Sequence, residues 1–192
     1  MKIGVLALQG DVSEHVMLIK KTLNKIKICG SVVEIKNSGQ VKGIDALIIP
    51  GGESTTIGKL LIKTGIFQEI KKLSNKPVMG TCAGLILIAK DISGGLKEQE
   101  LLGLMDIKVK RNAFGRQRES FEAKIKSKIG EIPGVFIRAP VIESAGKDVE
   151  VLAEYEGKIV MVRQGKILGL AFHPELADDT GVYEYFLGLV GG

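Results

Sequence analysis

The chain has no tryptophan, and only 5% of its 192 residues are aromatic. Its apolar content is nevertheless 45%, so the core must be built mainly from Ile, Leu, Val and Ala. No stretch of about 18 consecutive apolar residues is present, which argues against a membrane-spanning helix. The N-terminal apolar run, Ile3–Leu8, is shorter than the roughly 7–15 residues of a signal core, and Asp11 and Glu14 follow it. A soluble, cytoplasmic protein is expected. With two cysteines, Cys29 and Cys82, there is no disulfide framework, CxxC or metal-ligand spacing, so neither metal nor cofactor is expected. The ordinary role of either cysteine is that of a small buried apolar residue, and Cys29 is expected to keep it.

Acidic residues are slightly outnumbered, for a net charge of +5. The basic residues cluster at Lys20, Lys21, Lys25 and Lys27, and again at Lys108, Lys110, Arg111, Arg116 and Arg118. Phe114 alone accompanies the second cluster and no aromatic residue the first, so these runs read as solvated faces or protein contacts rather than a nucleic-acid surface.

The length fits one domain, residues 1–192. Short buried strands are predicted at Ile3–Leu8, Ser31–Lys36, Ala46–Pro50 and Pro77–Met79. Helices are predicted at Val12–Leu23, after Ser54 or Thr55 as cap, at Phe67–Leu73 and at Ala83–Lys90. This alternation predicts a mostly parallel sheet flanked by helices. Strands follow at Met105–Lys110, Ser120–Ile125, Val135–Arg138, Val149–Tyr155, Lys158–Val162 and Ile167–Phe172. Hairpin turns at Glu156-Gly157 and Gln164-Gly165 make part of that second half antiparallel, and a helix closes the chain at Val182–Val190.

Ligands of open α/β sheets bind beyond the carboxyl ends of the strands. Four such ends carry polar or glycine-rich sequence: Gln9-Gly10, Gly51-Gly52-Glu53, Gly80–Gly84 and His173-Pro174-Glu175. Gly80-x-Cys82-x-Gly84, between a strand and a helix, has the form of a nucleophile elbow with Cys in place of Ser. Such a turn strains the nucleophile's backbone, and small flanking residues give it room. A helix N-terminus favours the thiolate, and the amide of Ala83 can face a developing oxyanion. A cysteine between two glycines is, by itself, as often structural.

A thiol nucleophile needs a base, and the chain has two histidines. His15 falls inside an early helix and reads as a surface or interface residue. His173 ends a strand, with Glu175 two residues on, where extended chain projects both side chains the same way. Glu175 could then fix the imidazole tautomer while Pro174 stiffens the link. Gly51-Gly52 suits a second oxyanion donor, or is simply a tight turn before a helix.

These motifs resemble the class I, triad-type glutamine amidotransferases, and among them the glutaminase subunits of pyridoxal 5'-phosphate synthases. The strings are GVLALQG at Gly4–Gly10, PGGESTT at Pro50–Thr56, GTCAGL at Gly80–Leu85, RNAFGRQ at Arg111–Gln117, VFIRAP at Val135–Pro140 and FHPE at Phe172–Glu175. The resemblance implies a flavodoxin-like fold, Cys82 as nucleophile, and His173 and Glu175 completing a triad. It implies a glutamine pocket of Gly51, Gly52, Glu53, Arg111, Ile137 and Arg138, with the amides of Gly52 and Ala83 as oxyanion donors. An arginine there makes independent sense, because a guanidinium can bind the α-carboxylate of glutamine in bidentate fashion. The implied partner is a (β/α)₈-barrel synthase subunit in a hetero-oligomer. Gln9-Gly10, at the end of the first strand, is a candidate docking-sensitive element, with His15 and the helical lysines as candidate contacts, or it is merely a turn. The competing readings are a glutaminase serving another synthase, a cysteine peptidase-like hydrolase, and a non-catalytic basic binding module.

Overall fold

The computed structural model describes residues 1–73, 75–94, 99–111 and 120–191. The chain begins as β1 (Lys2–Leu6), α1 (Val12–Lys25), β2 (Ser31–Ile35), β3 (Ala46–Ile49), α2 (Ser54–Lys63), α3 (Ile66–Lys71), β4 (Val78–Thr81) and α4 (Ala83–Ile88). It continues through β5 (Ala89–Ser93), β6 (Met105–Lys110), β7 (Ser120–Ser127), β8 (Gly130–Ile137) and β9 (Val141–Ala145). It ends with β10 (Glu150–Tyr155), β11 (Lys158–Gln164), β12 (Ile167–Leu170) and α5 (Gly181–Gly191).

The strands join one sheet, whose main path runs β2-β1-β3-β4-β12-β11-β10-β7-β8. The first five positions on that path are parallel, and from β11 onward the pairing is antiparallel. The α/β class and the division into a parallel first half and an antiparallel addition therefore hold. Strands such as Ala46–Ile49 are apolar throughout because both faces are covered, and all four of these residues are buried. From β1 the chain moves one way to β2 and then back across to β3 and β4. Right-handed crossovers place the intervening helices on opposite faces when direction reverses. Accordingly, α1 packs with α5, while α2 packs with α3 and α4. The reversal between β1 and β3 opens a crevice at their carboxyl ends.

Several expectations are corrected. The helix predicted over Ala83–Lys90 stops at Ile88, where Ala89 turns extended (ψ 156°) and the chain pairs with β6 as β5. An apolar run of this length does not distinguish helix from strand, and pairing with a distant segment decides it. β9 is absent from the expected strands; it pairs with both β6 and β11. The cap of α2 is Glu53 rather than Ser54 or Thr55. Cys29 is exposed rather than buried, because it lies in the connection between α1 and β2.

The largest fully buried side chains include Tyr183, Phe136, Phe172 and Phe186, so the few aromatics are concentrated inside. Phe121 stacks on Phe136 with ring centroids 4.6 Å apart, and Phe172 packs against Phe136 at 5.6 Å. The backbone N–H of His173 then bonds to the Val135 carbonyl at 2.8 Å, tying the segment after β12 to β8. No helix among the described residues is long and apolar enough to cross a membrane.

Candidate active site

Cys82 stands between β4 and α4 with φ 48° and ψ −100°, a positive-φ conformation unusual for a side-chain-bearing residue. Such a conformation costs roughly 1–3 kcal/mol and persists only where its surroundings enforce it. Here its N–H bonds to the Leu170 carbonyl at 2.9 Å. A β-carbon on Gly84 would stand 2.0 Å from the Ile49 carbonyl oxygen, and one on Gly80 2.6 Å from the backbone of Gly84. The two glycines thus allow α4 to press its first turn onto the ends of β3 and β4. The helix has only six residues, so little macrodipole stands behind the thiol. As first residue of that helix, Ala83 has an N–H without an intrahelical acceptor.

His173, buried at the end of the sheet, lines the same cleft as Cys82 and interacts electrostatically with it. Its Nδ1 lies 2.7 Å from Oε1 of Glu175, which is also buried. Burial works to lower the imidazole pKa, but Cys82 and the Glu175 carboxylate outweigh it and push His173 up to about 10. Glu175 moves the other way: burial would raise it, but His15 and His173 together pull its pKa below the usual carboxylate value. Positive charge is therefore favoured on the imidazole, which stands between Glu175 and the Cys82 side of the cleft.

His15 is the clearest departure from the sequence reading. It is fully buried, with its Nδ1 2.7 Å from the Tyr183 hydroxyl and its Nε2 3.4 Å from Oε2 of Glu175. It cannot be a surface contact, because the first turn of α1 faces α5 and the His-Pro-Glu segment. The helical lysines are also partly engaged: Lys21 pairs with Asp178, and Lys25 with Glu184 at 2.7 Å. In the second basic run Lys108 pairs with Asp91 at 3.2 Å and Lys110 with Glu143 at 3.8 Å. Arg116, Arg118, Phe114 and the string from Asn112 to Gln117 lie outside the described residues.

A cleft of about 370 Å³ opens over Cys82. Its walls include Gln9, Gly52, Glu53, Ala83, Arg111, Ile137, Arg138 and His173 from the sequence-derived set. Gly51 lies behind this wall, against the imidazole, and Gly10 packs on the Gly51 carbonyl. The Ile137 carbonyl is 3.9 Å from the Cys82 sulfur, and Arg138 after it adopts φ 43°, a second strained residue at the rim. Glu53 is present but already engaged. Its carboxylate accepts from the Thr56 N–H and hydroxyl, each at 2.7 Å, from Thr55, and from Arg111 at 3.3 Å. Although burial opposes it, the hydrogen bonds from Thr55 and Thr56 hold Glu53 down to about 2. Glu53 therefore caps α2 and fixes Arg111, while its own N–H bonds to Oε1 of Gln9 at 2.9 Å.

Sequence reasoning missed Asp11 and Ser54. Asp11 lines the cleft with Oδ2 3.5 Å from His173 Nδ1, and the buried Ser54 hydroxyl in the wall has no hydrogen-bond partner among the described residues. The adjacency of Asp11 to Gln9-Gly10 was the available signal. Asp11, His173 and Glu175 are close enough together to hold a metal ion. The nitrogen facing both carboxylates is the one already bonded to Glu175, so ligation there would break that pair.

This fold is that of a glutamine amidotransferase. The chain belongs to the SNO glutamine amidotransferase family, whose profile matches residues 5–190. It is 55% identical, over 98% of both chains, to a protein of Archaeoglobus fulgidus named pyridoxal 5'-phosphate synthase subunit PdxT. A protein of Pyrococcus horikoshii with the same name is 52% identical over 97% of this chain and 98% of its own. A solved glutamine amidotransferase superposes with a TM-score of 0.89 at 47% identity, covering 99% of each chain. A more distant solved structure, of a Thermoplasma acidophilum protein, shares the fold with a TM-score of 0.67 at 19% identity. The match covers all of this chain and 94% of that one.

Proposed function

We propose that residues 1–192 form one glutaminase domain that hydrolyses L-glutamine to glutamate and ammonia and passes the ammonia to a synthase subunit making pyridoxal 5'-phosphate. The observation that carries this is the placing of Cys82 and a Glu175-bonded His173 in one cleft that also bears two arginines. The names borne by the relatives from Archaeoglobus and Pyrococcus support the synthase as partner.

In this reading the Cys82 thiolate, paired with the His173 imidazolium, attacks the side-chain amide carbon of glutamine. The oxyanion is held by the amides of Gly52 and Ala83. His173 gives its proton to the leaving nitrogen, and ammonia departs. The imidazole then takes a proton from water, which hydrolyses the γ-glutamyl thioester and frees the sulfur. Arg138 and Arg111 bind the substrate carboxylate, with Arg111 oriented by Glu53.

Ammonia is mostly protonated near neutral pH and is then no nucleophile, so a cytoplasmic complex with a closed passage into a (β/α)₈-barrel subunit suits the chemistry. Gln9 and Gly10 suit a docking-sensitive role: one holds the Glu53 amide and the other touches the Gly51 carbonyl, so movement there reaches the oxyanion loop directly. One missing oxyanion donor costs about 10²–10³ in rate, enough to gate activity. The test measures glutamate release with and without the synthase subunit, together with complex formation by light scattering. Release that rises on complex formation is expected. Full activity of the isolated chain with no complex would refute the coupling.

A further inference from the structure

Glu175 presents two carboxylate oxygens, and only Oε1 meets His173, at 2.7 Å. Oε2 is buried and makes no ordinary hydrogen bond among the described residues. Nε2 of His15 lies 3.4 Å from it, and 3.3 Å from the Thr81 hydroxyl. At its other end the same imidazole meets the Tyr183 hydroxyl, 2.7 Å from Nδ1, with the two rings edge to face at 62°. His15, Thr81, Glu175 and Tyr183 are all buried, and they come from α1, β4, the segment after β12, and α5. Four elements thus converge on the side of Glu175 turned away from His173.

The available protons decide how this group is arranged. Burial, with the Glu175 charge adding to it, lifts Tyr183 well above the ordinary phenol range, so its hydroxyl keeps its proton. Burial also lowers His15, opposed by Glu175, so that ring is neutral and carries one N–H. If Tyr183 donates to Nδ1, the N–H sits on Nε2 and faces Glu175. The other tautomer would turn an imidazole lone pair toward a buried carboxylate, with only the Thr81 hydroxyl, 3.3 Å from Nε2, to donate to that lone pair, and would leave Oε2 without a donor.

We propose that His15, held in one tautomer by Tyr183, is a positioning residue that donates to the second oxygen of Glu175 and keeps that carboxylate ionised and aimed at His173. This rests on the glutaminase reading. The titratable groups around Glu175 are His173 and His15 directly, Tyr183 beyond His15, Asp11 and Cys82 beyond His173, and Glu14 beside His15 on α1. None of the other acids reaches Oε2 as a donor, so the task falls to His15.

The test compares His15→Gln, which can still present an amide N–H, His15→Leu, which cannot, and Tyr183→Phe, which keeps ring packing but frees Nδ1. Each is mixed with the synthase subunit, and glutamate release is followed against pH and glutamine concentration. His15→Leu should lose on the order of tenfold or more in kcat with KM little changed. Its acid limb should move to higher pH, because a carboxylate stripped of a donor ionises less readily. His15→Gln should recover most of the rate, and Tyr183→Phe should show the same shift in weaker form. If His15→Leu does not fold by circular dichroism, the other two variants decide. Wild-type rates and pH profiles in every folded variant, or equal losses in the Gln and Leu variants with an unmoved acid limb, overturn the proposal. Peptide-resolved alkylation of Cys82 by iodoacetamide, run without glutamine, should show the same upward pH shift in His15→Leu. That readout judges His15 even if the wild type cannot hydrolyse glutamine, a result that would overturn the glutaminase reading instead.

Discussion

Gly51 lies so close to His173 that a β-carbon on it would stand 2.5 Å from Cε1 of the imidazole. The glycine pair after β3 therefore does more than turn the chain: it seats the base over Cys82. Gly51→Ala should push the ring away from the sulfur while leaving the sheet assembled. Glutamate release should fall at least about a hundredfold, since a misplacement of about 1 Å can cost that much. The melting temperature should fall by only a few degrees, as expected of a local clash of about 1–2 kcal/mol. Near-normal turnover in this variant would mean that His173 is not held where it must act.

Glu175 accepts from His173 and stabilises the imidazolium without touching the substrate. Glu175→Gln should accordingly slow glutamine hydrolysis less than His173→Ala does. Steady-state rates in the two variants decide it, and an equal or greater loss at Glu175 would assign it a different role.

The arginines are predicted to anchor the glutamine carboxylate. Arg138→Ala and Arg111→Ala should each weaken apparent glutamine affinity by about ten- to more than a hundredfold, the value of a desolvated charge-assisted bond of roughly 1.5–3 kcal/mol. Glu53→Gln should weaken it less, by freeing Arg111, and should also cost about 1 kcal/mol of stability through the α2 cap. Unchanged affinity in both arginine variants would return them to the role of surface charges.

His173 carries a pKa raised from 6.5 to about 10, through Cys82 and Glu175 acting against burial. A raised value means that the folded protein binds this proton more tightly than the unfolded chain. The stabilisation is full below pH 6.5 and is lost as pH climbs through about 10. Melting temperature measured across that window should fall for the wild type and fall less for Cys82→Ala, which lacks the largest charge-favouring partner. Parallel curves would contradict the linkage.

The parts of the site that were legible in the sequence are local ones. Gly80-x-Cys82-x-Gly84 and His173-Pro174-Glu175 each lie within five residues, and the strand-end rule brings them together without any distance being known. What escaped depends on contacts between distant segments. His15 meets Thr81 and Tyr183, 66 and 168 residues away, and although its helical spacing from Ile19 and Leu23 puts it on the buried face of α1, nothing beside it in the chain names those partners. Glu53 lies in the expected pocket, yet it commits its carboxylate to an unusual helix cap, a choice set by Thr55, Thr56 and Arg111 jointly. The strand at Ala89–Ser93 is hidden for a similar reason, since only pairing with β6 separates it from the helix before it.

If glutamine is opened by a covalent step, the step takes place at the Cys82 sulfur. Incubating the chain and its synthase partner with a glutamine-analogue electrophile, then locating the adduct by peptide mass spectrometry, tests this most directly. One γ-glutamyl-like adduct per chain on Cys82, with loss of glutamate release in step with labelling and no adduct in Cys82→Ala, is the predicted result. Labelling confined to the exposed Cys29, or glutamate release that survives Cys82→Ala, would contradict it.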